Sequence, residues 1–239
     1  MPTFNSFLGA RPATALALGF LAGLTAPAPA AAQLAPSAAE AAAYRGLHAA
    51  AFSGNVAEIR KLAGAKADLD ARDAHGRTPL HVATFARQRE ALRALAGAGA
   101  GLGLLESDRY DAVTIAAVAD DEETLRVLLA LGASAKQVTS RYDGTALIAA
   151  SHLGHEGVVR QLIAAGAPLD HVNNLHWTAV IEAIVLGDGG PRHQATLKAL
   201  IEAGANLQLA DRSGNTPLQL ARSRDLPPMV RLLEAAGAK

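Results

Sequence analysis

The stretch Asp73-Ala-His-Gly-Arg-Thr-Pro-Leu-His-Val-Ala83 joins a tight turn to the start of a helix. Gly76 supplies a backbone that can adopt a positive φ angle in the turn. Thr78 is a good helix N-cap, and Pro79 follows at the first helical position, where its missing N–H costs nothing. The apolar residues that come next fall on one face of the helix. The stretch therefore predicts a turn followed by a helix with one apolar side.

The same stretch recurs along the chain in weaker form. The positions that match Thr78 follow one another at intervals of 33, 33, 34, 33 and 38 residues, and they are Arg45, Asp111, Thr145, Thr178 and Thr216. A second anchor, at the end of each second helix, keeps nearly the same period, and it comprises Lys66-Ala67, Gly99-Ala100, Gly132-Ala133, Gly166-Ala167, Gly204-Ala205 and Gly237-Ala238. Two anchors with one period indicate an internal repeat, and the long interval predicts an inserted loop around 187–193.

This pattern resembles the ankyrin repeat, whose signature carries Thr-Pro-Leu-His-x-Ala. The resemblance covers about Tyr44 to Ala238. It implies an all-α solenoid of about six helix-turn-helix repeats, preceded by a signal peptide, with about twelve helices and little or no regular strand. Each repeat is expected to pack mainly on its neighbours. The predicted repeat boundaries are about 40–72, 73–105, 106–139, 140–172, 173–210 and 211–239.

The first 32 residues have the layout of a secretory signal peptide. Arg11 precedes an apolar run at 13–26, and prolines and small residues follow it, with cleavage expected after Ala30 or Ala32. The run is shorter than the roughly 20 apolar residues that a spanning helix needs. We therefore expect export to the periplasm and no membrane segment in the mature chain. An uncleaved anchor or a disordered tail is the alternative.

Residues 33–43 are predicted to form a linker and an N-terminal cap. Ser37 and Glu40 have the spacing of a capping box. Because no turn residue interrupts the sequence before Ser53-Gly54, the helix that begins at Ser37 is expected to continue through Phe52.

Composition narrows the classes of function. The chain of 239 residues has 22 basic and 22 acidic residues and no cysteine. The absence of cysteine excludes disulfides and zinc–thiolate sites. A nucleic-acid partner would usually show as a basic stripe, which the sequence lacks. No catalytic or phosphate-binding motif occurs, and the glycine-rich 97–103 segment lacks the spacing of a phosphate loop. We expect no cofactor and no enzymatic activity.

The histidines are the main competing signal. The resemblance implies that His81, His48 and His155 are structural, because histidines at these repeat positions tie turns to neighbouring backbone. His152 and His155, with His171 and His176 close by, leave a metal-binding or catalytic role as a remote alternative.

The resemblance also implies where a partner would bind, namely on the concave side formed by finger tips and first helices. The tyrosines and the tryptophan on successive fingers are residue types that anchor interfaces. The alternative is that these rings fold down onto the next finger. The candidate partner-binding residues are His75, Arg77, Phe85, Asp108, Tyr110, Arg141, Tyr142, His152, Leu175, Trp177, Arg212 and Asn215.

These observations predict a monomeric, non-catalytic module that binds another protein in the periplasm. By resemblance to exported ankyrin proteins, the partner could be an oxidative-stress enzyme such as catalase. An immunity protein that neutralises a toxic enzyme is the alternative. Function in such a protein depends on variable surface residues and not on the architecture.

Overall fold

The positions that match Thr78 become the N-caps of six similar helices. The computed structural model describes residues 35–239, so the predicted signal peptide, residues 1–32, lies outside the described residues. The described chain contains thirteen α-helices: α1 (Ala38–Ala43), α2 (Gly46–Ser53), α3 (Val56–Gly64), α4 (Pro79–Phe85), α5 (Arg89–Ala98), α6 (Ala112–Val118), α7 (Glu122–Ala130), α8 (Ala146–Leu153), α9 (Glu156–Ala164), α10 (Ala179–Val185), α11 (Pro191–Glu202), α12 (Pro217–Ser223) and α13 (Pro227–Ala235). A two-residue antiparallel pair joins β1 (Val138–Thr139) to β2 (Gly144–Thr145).

The helices pair into six repeats, as predicted. The first helices, α2, α4, α6, α8, α10 and α12, pack on one another in chain order, and we call them the inner helices. The outer helices α3, α5, α7, α9, α11 and α13 pack on one another in the same way. One apolar core runs through all repeats, with leucine, isoleucine and valine on both helices and alanine where the helices approach closely. Because one helix pair cannot bury its own apolar side, stacking is what stabilises each repeat.

Capping explains the spacing of the first anchor. Thr78, Asp111, Thr145, Thr178 and Thr216 have extended backbones, and each side chain accepts a hydrogen bond from the N–H three residues later. Arg45 holds the same place in the first repeat without a side-chain bond, which suits a terminal repeat. The backbone conformation also explains the second anchor. The first residue of each of its six residue pairs has a positive φ, from 60° at Lys66 to 102° at Gly99.

The predicted continuous helix from Ser37 through Phe52 is wrong. The Ser37–Glu40 capping box forms, but α1 ends at Ala43 and α2 begins at Gly46. Gly46 has a φ of 54°, outside the right-handed helical range, so one regular helix cannot continue from α1 through this position. Tyr44 is held outside both helices because its hydroxyl donates to Asp73 Oδ2 at 2.7 Å. Tertiary contact, absent from the local sequence, therefore divides the helix.

The inserted segment is also not a simple loop. Gly190 is the N-cap of α11, and Pro191 is its first residue, so part of the insertion lengthens this helix to 12 residues where the other outer helices have 9 or 10. The extra turn carries Arg192, whose guanidinium contacts Asp120 at 2.6 Å and the Gly154 carbonyl at 3.2 Å. The insertion thus braces the interhelical turns of the two preceding repeats. No helix in 35–239 is long and apolar enough to span a bilayer.

His81 is structural, as the resemblance implied. Its Nδ1 accepts from the Thr78 backbone N–H at 3.0 Å, so Nε2 carries the proton and donates to the Leu104 carbonyl at 2.9 Å. His48 makes the equivalent bond from Nε2 to the Arg77 carbonyl at 2.9 Å. Burial lowers the pKa of His81 to about 4, and the ring is therefore neutral in the folded protein at physiological pH.

The low pKa of His81 predicts an acid-dependent loss of stability. The unfolded chain binds a proton at this histidine below its ordinary pKa near 6.5, while the folded chain resists protonation down to about 4. Stability from this group is therefore complete at neutral pH and is lost as the pH falls from 6.5 to 4, by about 3 kcal/mol at most. His81→Gln, which copies Gln219 of the last repeat, should remove this part of the pH dependence in denaturant unfolding at pH 7.5 and 4.5. The control is His176→Gln, at an exposed ring, which should keep the parent's acid-dependent loss of stability. If His81→Gln also keeps that loss, His81 is not its source.

Candidate protein-binding surface

Five turns project from the stack and share one pattern of hydrogen bonds. We call them fingers 2 to 6, at 73–78, 106–111, 140–145, 173–178 and 211–216. In finger 2, Asp73 Oδ1 accepts from the N–H groups of His75 at 2.8 Å and Arg77 at 2.9 Å. The first residue of every other finger accepts from the same two places, through the side chains of Glu106, Ser140, Asn173 and Asp211. Each finger is therefore rigid at its base.

Backbone bonds connect successive fingers. Ser107 N–H donates to the His75 carbonyl at 3.0 Å, and Ser140 N–H donates to the Arg109 carbonyl at 2.8 Å. Asn174 N–H donates to the Tyr142 carbonyl at 2.9 Å. Fingers 2 to 5 therefore form one edge, in which the tip of each finger has a fixed position relative to the next.

The aromatic candidates on this edge differ in exposure. Tyr142 and Leu175 each expose 38% of their surface at the tips of fingers 4 and 5. Tyr110 and Trp177 are half-buried, and burial raises the pKa of Tyr110. The rings are thus neither fully buried against the next finger nor fully free. Their part in binding stays a prediction.

The polar candidates are mostly engaged in pairs. Arg141 is exposed and contacts Asp108 at 2.7 Å across fingers 3 and 4. Arg212 is exposed and donates to the Asn174 carbonyl at 2.8 Å. The amide of Asn215 donates to the Asp211 carboxylate within its own finger. These groups reinforce the edge and still offer part of their surface to solvent.

Arg77 does not belong to the partner-facing set. It is 1% exposed, with Nε 2.7 Å from Asp73 Oδ2 and Nη2 2.5 Å from Glu40 Oε1. Glu40 also contacts the half-exposed ring of His75 at 2.9 Å, so α1 lies over finger 2. Hydrogen bonds from Ser37 and Arg77 lower the pKa of Glu40 to about 2. The sequence could not show this, because the carboxylate that covers Arg77 lies 37 residues away.

The inner helices of the first five repeats contribute a row of partly exposed side chains at the seventh residue after the N-cap. Phe52 is 37% exposed at one end, and Phe85 and Val118 continue the row. His152 and Val185 follow it on α8 and α10, both with intermediate exposure. We call this row and the finger tips together the inner surface. The row itself is mainly apolar and runs across five repeats.

One buried charged group beside this row was not predicted. Glu182 on α10 is 5% exposed, and its Oε1 accepts from Asn173 Nδ2 at 3.0 Å. Its Oε2 lies 3.7 Å from His152 Nδ1, which is too long for a hydrogen bond. Burial raises the pKa of Glu182 to about 7, against the effect of the bond from Asn173. Burial, and then the nearby His193 and His155, lowers the pKa of His152.

A comparison of repeats would have found Glu182. The equivalent places, four residues after each N-cap, are apolar in the other five repeats, where they are Ala49, Val82, Ile115, Ala149 and Leu220. A carboxylate at such a place is costly unless it is paired. The departure from the repeat pattern was therefore the available signal.

The histidines favour structural roles over a metal site. His155 Nδ1 bonds the Ala117 carbonyl at 2.9 Å, and His171 Nε2 bonds the Asp143 carbonyl at 2.6 Å. His193 Nε2 bonds the His152 carbonyl at 2.9 Å. Across residues 35–239, no three or more histidine, aspartate or glutamate side chains are grouped to hold a metal ion.

Replacing Glu182 tests whether its ionised carboxylate destabilises the fold. A pKa raised from 4.5 to about 7 means that the folded chain holds this proton more tightly than the unfolded chain. The contribution of the Glu182 carboxyl group to folding stability is therefore fully present below pH 4.5. It is lost as the pH rises through 7, by about 3 kcal/mol at most. Glu182→Gln, permanently neutral, should match the parent in unfolding free energy at pH 4 and exceed it at pH 8. Equal stability at pH 8 would contradict this account, and Glu123→Gln on an outer helix is the matched control.

Comparison with known proteins agrees with this architecture. Residues 113–211 match a model described as ankyrin repeats in three copies, and residues 47–96 match one described as ankyrin repeats in many copies. A crystal structure of an ankyrin repeat domain from Acinetobacter baumannii is 44% identical, with a TM-score of 0.75 over 81% of this chain and 98% of that one.

Two further relatives are more distant or shorter in overlap. The putative ankyrin repeat protein YahD of Escherichia coli is 42% identical over 100 residues, which are 41% of this chain and span half of that protein's length. The ankyrin repeat domain of Bcl-3, a member of the IkappaB family, is 28% identical with a TM-score of 0.74, over 82% of this chain and 87% of that one. The six capped helix pairs, the matched repeat models and the Acinetobacter structure together show that the chain belongs to the ankyrin repeat family.

Proposed function

We propose that this protein is a non-catalytic binding module that holds a protein partner on its inner surface. Ankyrin repeat proteins are generally protein–protein interaction modules, and their function depends on the surface residues that the fold leaves free. The observation that supports this surface most is its row of partly exposed side chains from Phe52 to Val185, apolar except for His152, together with the exposed tips of Tyr142 and Leu175. Exposed apolar groups clustered in this way are typical of interaction sites.

The rigidity of the fingers supports the same proposal. Their bases are fixed by repeated side-chain bonds, and the tips of fingers 2 to 5 are joined through the backbone. A surface that is already ordered loses little conformational freedom when a partner binds. Large aromatic side chains on such a support are the residues that usually contribute most to affinity.

We further propose that the module acts in the periplasm, where it supports an oxidative-stress enzyme such as catalase. The apolar run at 13–26, its proline and alanine boundary and the absence of cysteine support export. The related proteins point to the repeat family and to no particular partner, so the identity of the enzyme rests on the resemblance alone. Recovery of a toxic enzyme would favour the immunity role instead.

Export can be tested directly in the native host. If residues 1–32 are a cleaved signal, the periplasmic fraction should contain a chain that begins at Ala31 or Gln33, as measured by intact mass. Replacing Leu18 and Leu21 with Arg should leave the uncleaved chain in the cytoplasm, because a charged run is not accepted as a signal core. Replacing Ala38 and Ala39 with Ser, beyond the predicted cleavage sites, is the control. An uncut parent chain in the cytoplasm would refute export.

The inner surface can be tested by capture of partners from periplasmic extract. Tyr142→Ala combined with Leu175→Ala should reduce the captured partner at least tenfold, because both side chains are exposed and removing interface anchors costs about 2 kcal/mol each. The matched control replaces Arg60 and Arg126, exposed on outer helices, with Ala and should capture as much as the parent. Circular dichroism confirms folding of all three proteins. Undiminished capture by the Tyr142/Leu175 variant would refute the inner surface as the binding site.

A further inference from the structure

The Glu182 cluster is built in a way that the fold does not require. The cluster comprises Glu182 on α10, Asn173 at the base of finger 5 and His152 on α8. The other five repeats fill the place of Glu182 with apolar residues and form the same fold. Asn173 already organises finger 5 through its Oδ1, which accepts from the N–H groups of Leu175 and Trp177. Its Nδ2 is therefore available to fix the orientation of the Glu182 carboxylate.

This carboxylate has one satisfied oxygen and one free oxygen. Asn173 holds Oε1, while no hydrogen-bond donor in the described chain reaches Oε2. Four enclosed side-chain atoms without a hydrogen bond occur in residues 35–239, namely Arg89 Nε, Ser151 Oγ, Gln161 Oε1 and Thr196 Oγ1, and Oε2 of Glu182 is not among them. Oε2 is therefore not fully enclosed, although only 5% of the surface of Glu182 is exposed.

Oε2 lies beside a residue of the inner surface. His152, whose side chain is 28% exposed, belongs to the row of seventh residues and borders Glu182 from the preceding repeat. Asn173, which holds the other oxygen, lies at the base of finger 5, whose tip residue Leu175 is 38% exposed. A long side chain that lies on the inner surface beside His152 would therefore have its end close to the free oxygen.

We propose that Glu182 is an anchor site for one lysine or arginine side chain of a protein segment that lies on the inner surface. This proposal rests on the proposed function, because the segment must first occupy that surface. The chemistry of the site selects the cation. An oriented carboxylate with a free oxygen binds an N–H donor most strongly when the donor is charged, and the apolar stems of lysine and arginine suit the apolar residues of the inner surface.

The titratable groups around the site set how binding depends on pH. His152 is the ionisable group that faces Glu182 from α8, and finger 5 presents only the neutral Asn173 amide. Burial, and then the nearby His193 and His155, lowers the pKa of His152, which disfavours a charged ring that would compete for Oε2. A bound cation needs the ionised carboxylate, which is the minor form well below pH 7. Affinity should therefore increase between pH 6 and pH 8, by up to about tenfold for one proton released.

The test uses random twelve-residue peptides displayed on phage and selected at pH 8 against the full chain. Parallel selections use Glu182→Gln and the control Glu123→Gln, an exposed outer-helix residue. Peptides from the parent and the control should share one Lys or Arg among apolar residues, and this feature should be absent with Glu182→Gln. A synthetic peptide of the consensus should bind the parent at least tenfold more tightly than its norleucine counterpart. The parent should also show the increase from pH 6 to pH 8, and Glu182→Gln should not.

The outcomes separate this proposal from the proposed function. If peptides are weakened by Tyr142→Ala with Leu175→Ala but contain no shared basic residue, the inner surface stands and the Glu182 anchor is overturned. An unchanged affinity of the norleucine peptide, or no pH dependence in the parent, also overturns the anchor, and neither measurement needs a variant that could misfold. If no selected peptide is weakened by the Tyr142/Leu175 variant, the inner surface itself is refuted, and the anchor with it.

Discussion

The hydrogen bonds at the base of each finger are the constraint on which the inner surface depends. A short side chain with an acceptor oxygen binds two N–H groups of the turn that follows, as Asp73 does with those of His75 and Arg77. The N-cap residue then starts an inner helix at a fixed distance from the turn. The geometry of one finger and one helix is thus set locally, within about ten residues, and stacking copies it along the chain. The side chains that the turn leaves free are presented in register.

The repeat units and their caps could be predicted because they depend on local chemistry. Threonine or aspartate at an N-cap, proline after it and glycine where φ is positive are visible in one sequence, and all of them occupy the expected backbone states. The structural roles of His81 and His48 followed from the same repeat positions. Lys66 stands where the other repeats have glycine, and it too adopts the left-handed conformation because the helix end requires it.

The sequence-based predictions that were wrong all involve contacts between parts of the chain that are distant in sequence. Nothing local showed that Tyr44 would donate to Asp73 and divide the first helix, or that Glu40 would cover Arg77. The insertion was expected as a loop because its glycines were visible, whereas the contacts of Arg192 with earlier repeats were not. Local patterns therefore predict the repeat, and tertiary contacts decide what each departure from the repeat becomes.

Arg77 and Glu182 are two departures from the repeat that place an ionisable group in the interior. Their surroundings differ, and the difference indicates a structural role for Arg77 and a binding role for Glu182. Arg77 is enclosed between the carboxylates of Asp73 and Glu40, so its burial is compensated within the chain and its role is to hold α1 against finger 2. Glu182 is compensated at one oxygen only, and the other oxygen has no hydrogen-bond donor in the described chain and lies beside His152 of the inner surface. A buried charge that lacks a partner destabilises a fold, and such groups are found where binding or chemistry uses them. The place of Glu182 in a stack that elsewhere needs only an apolar residue is best explained if its missing partner is supplied by another protein.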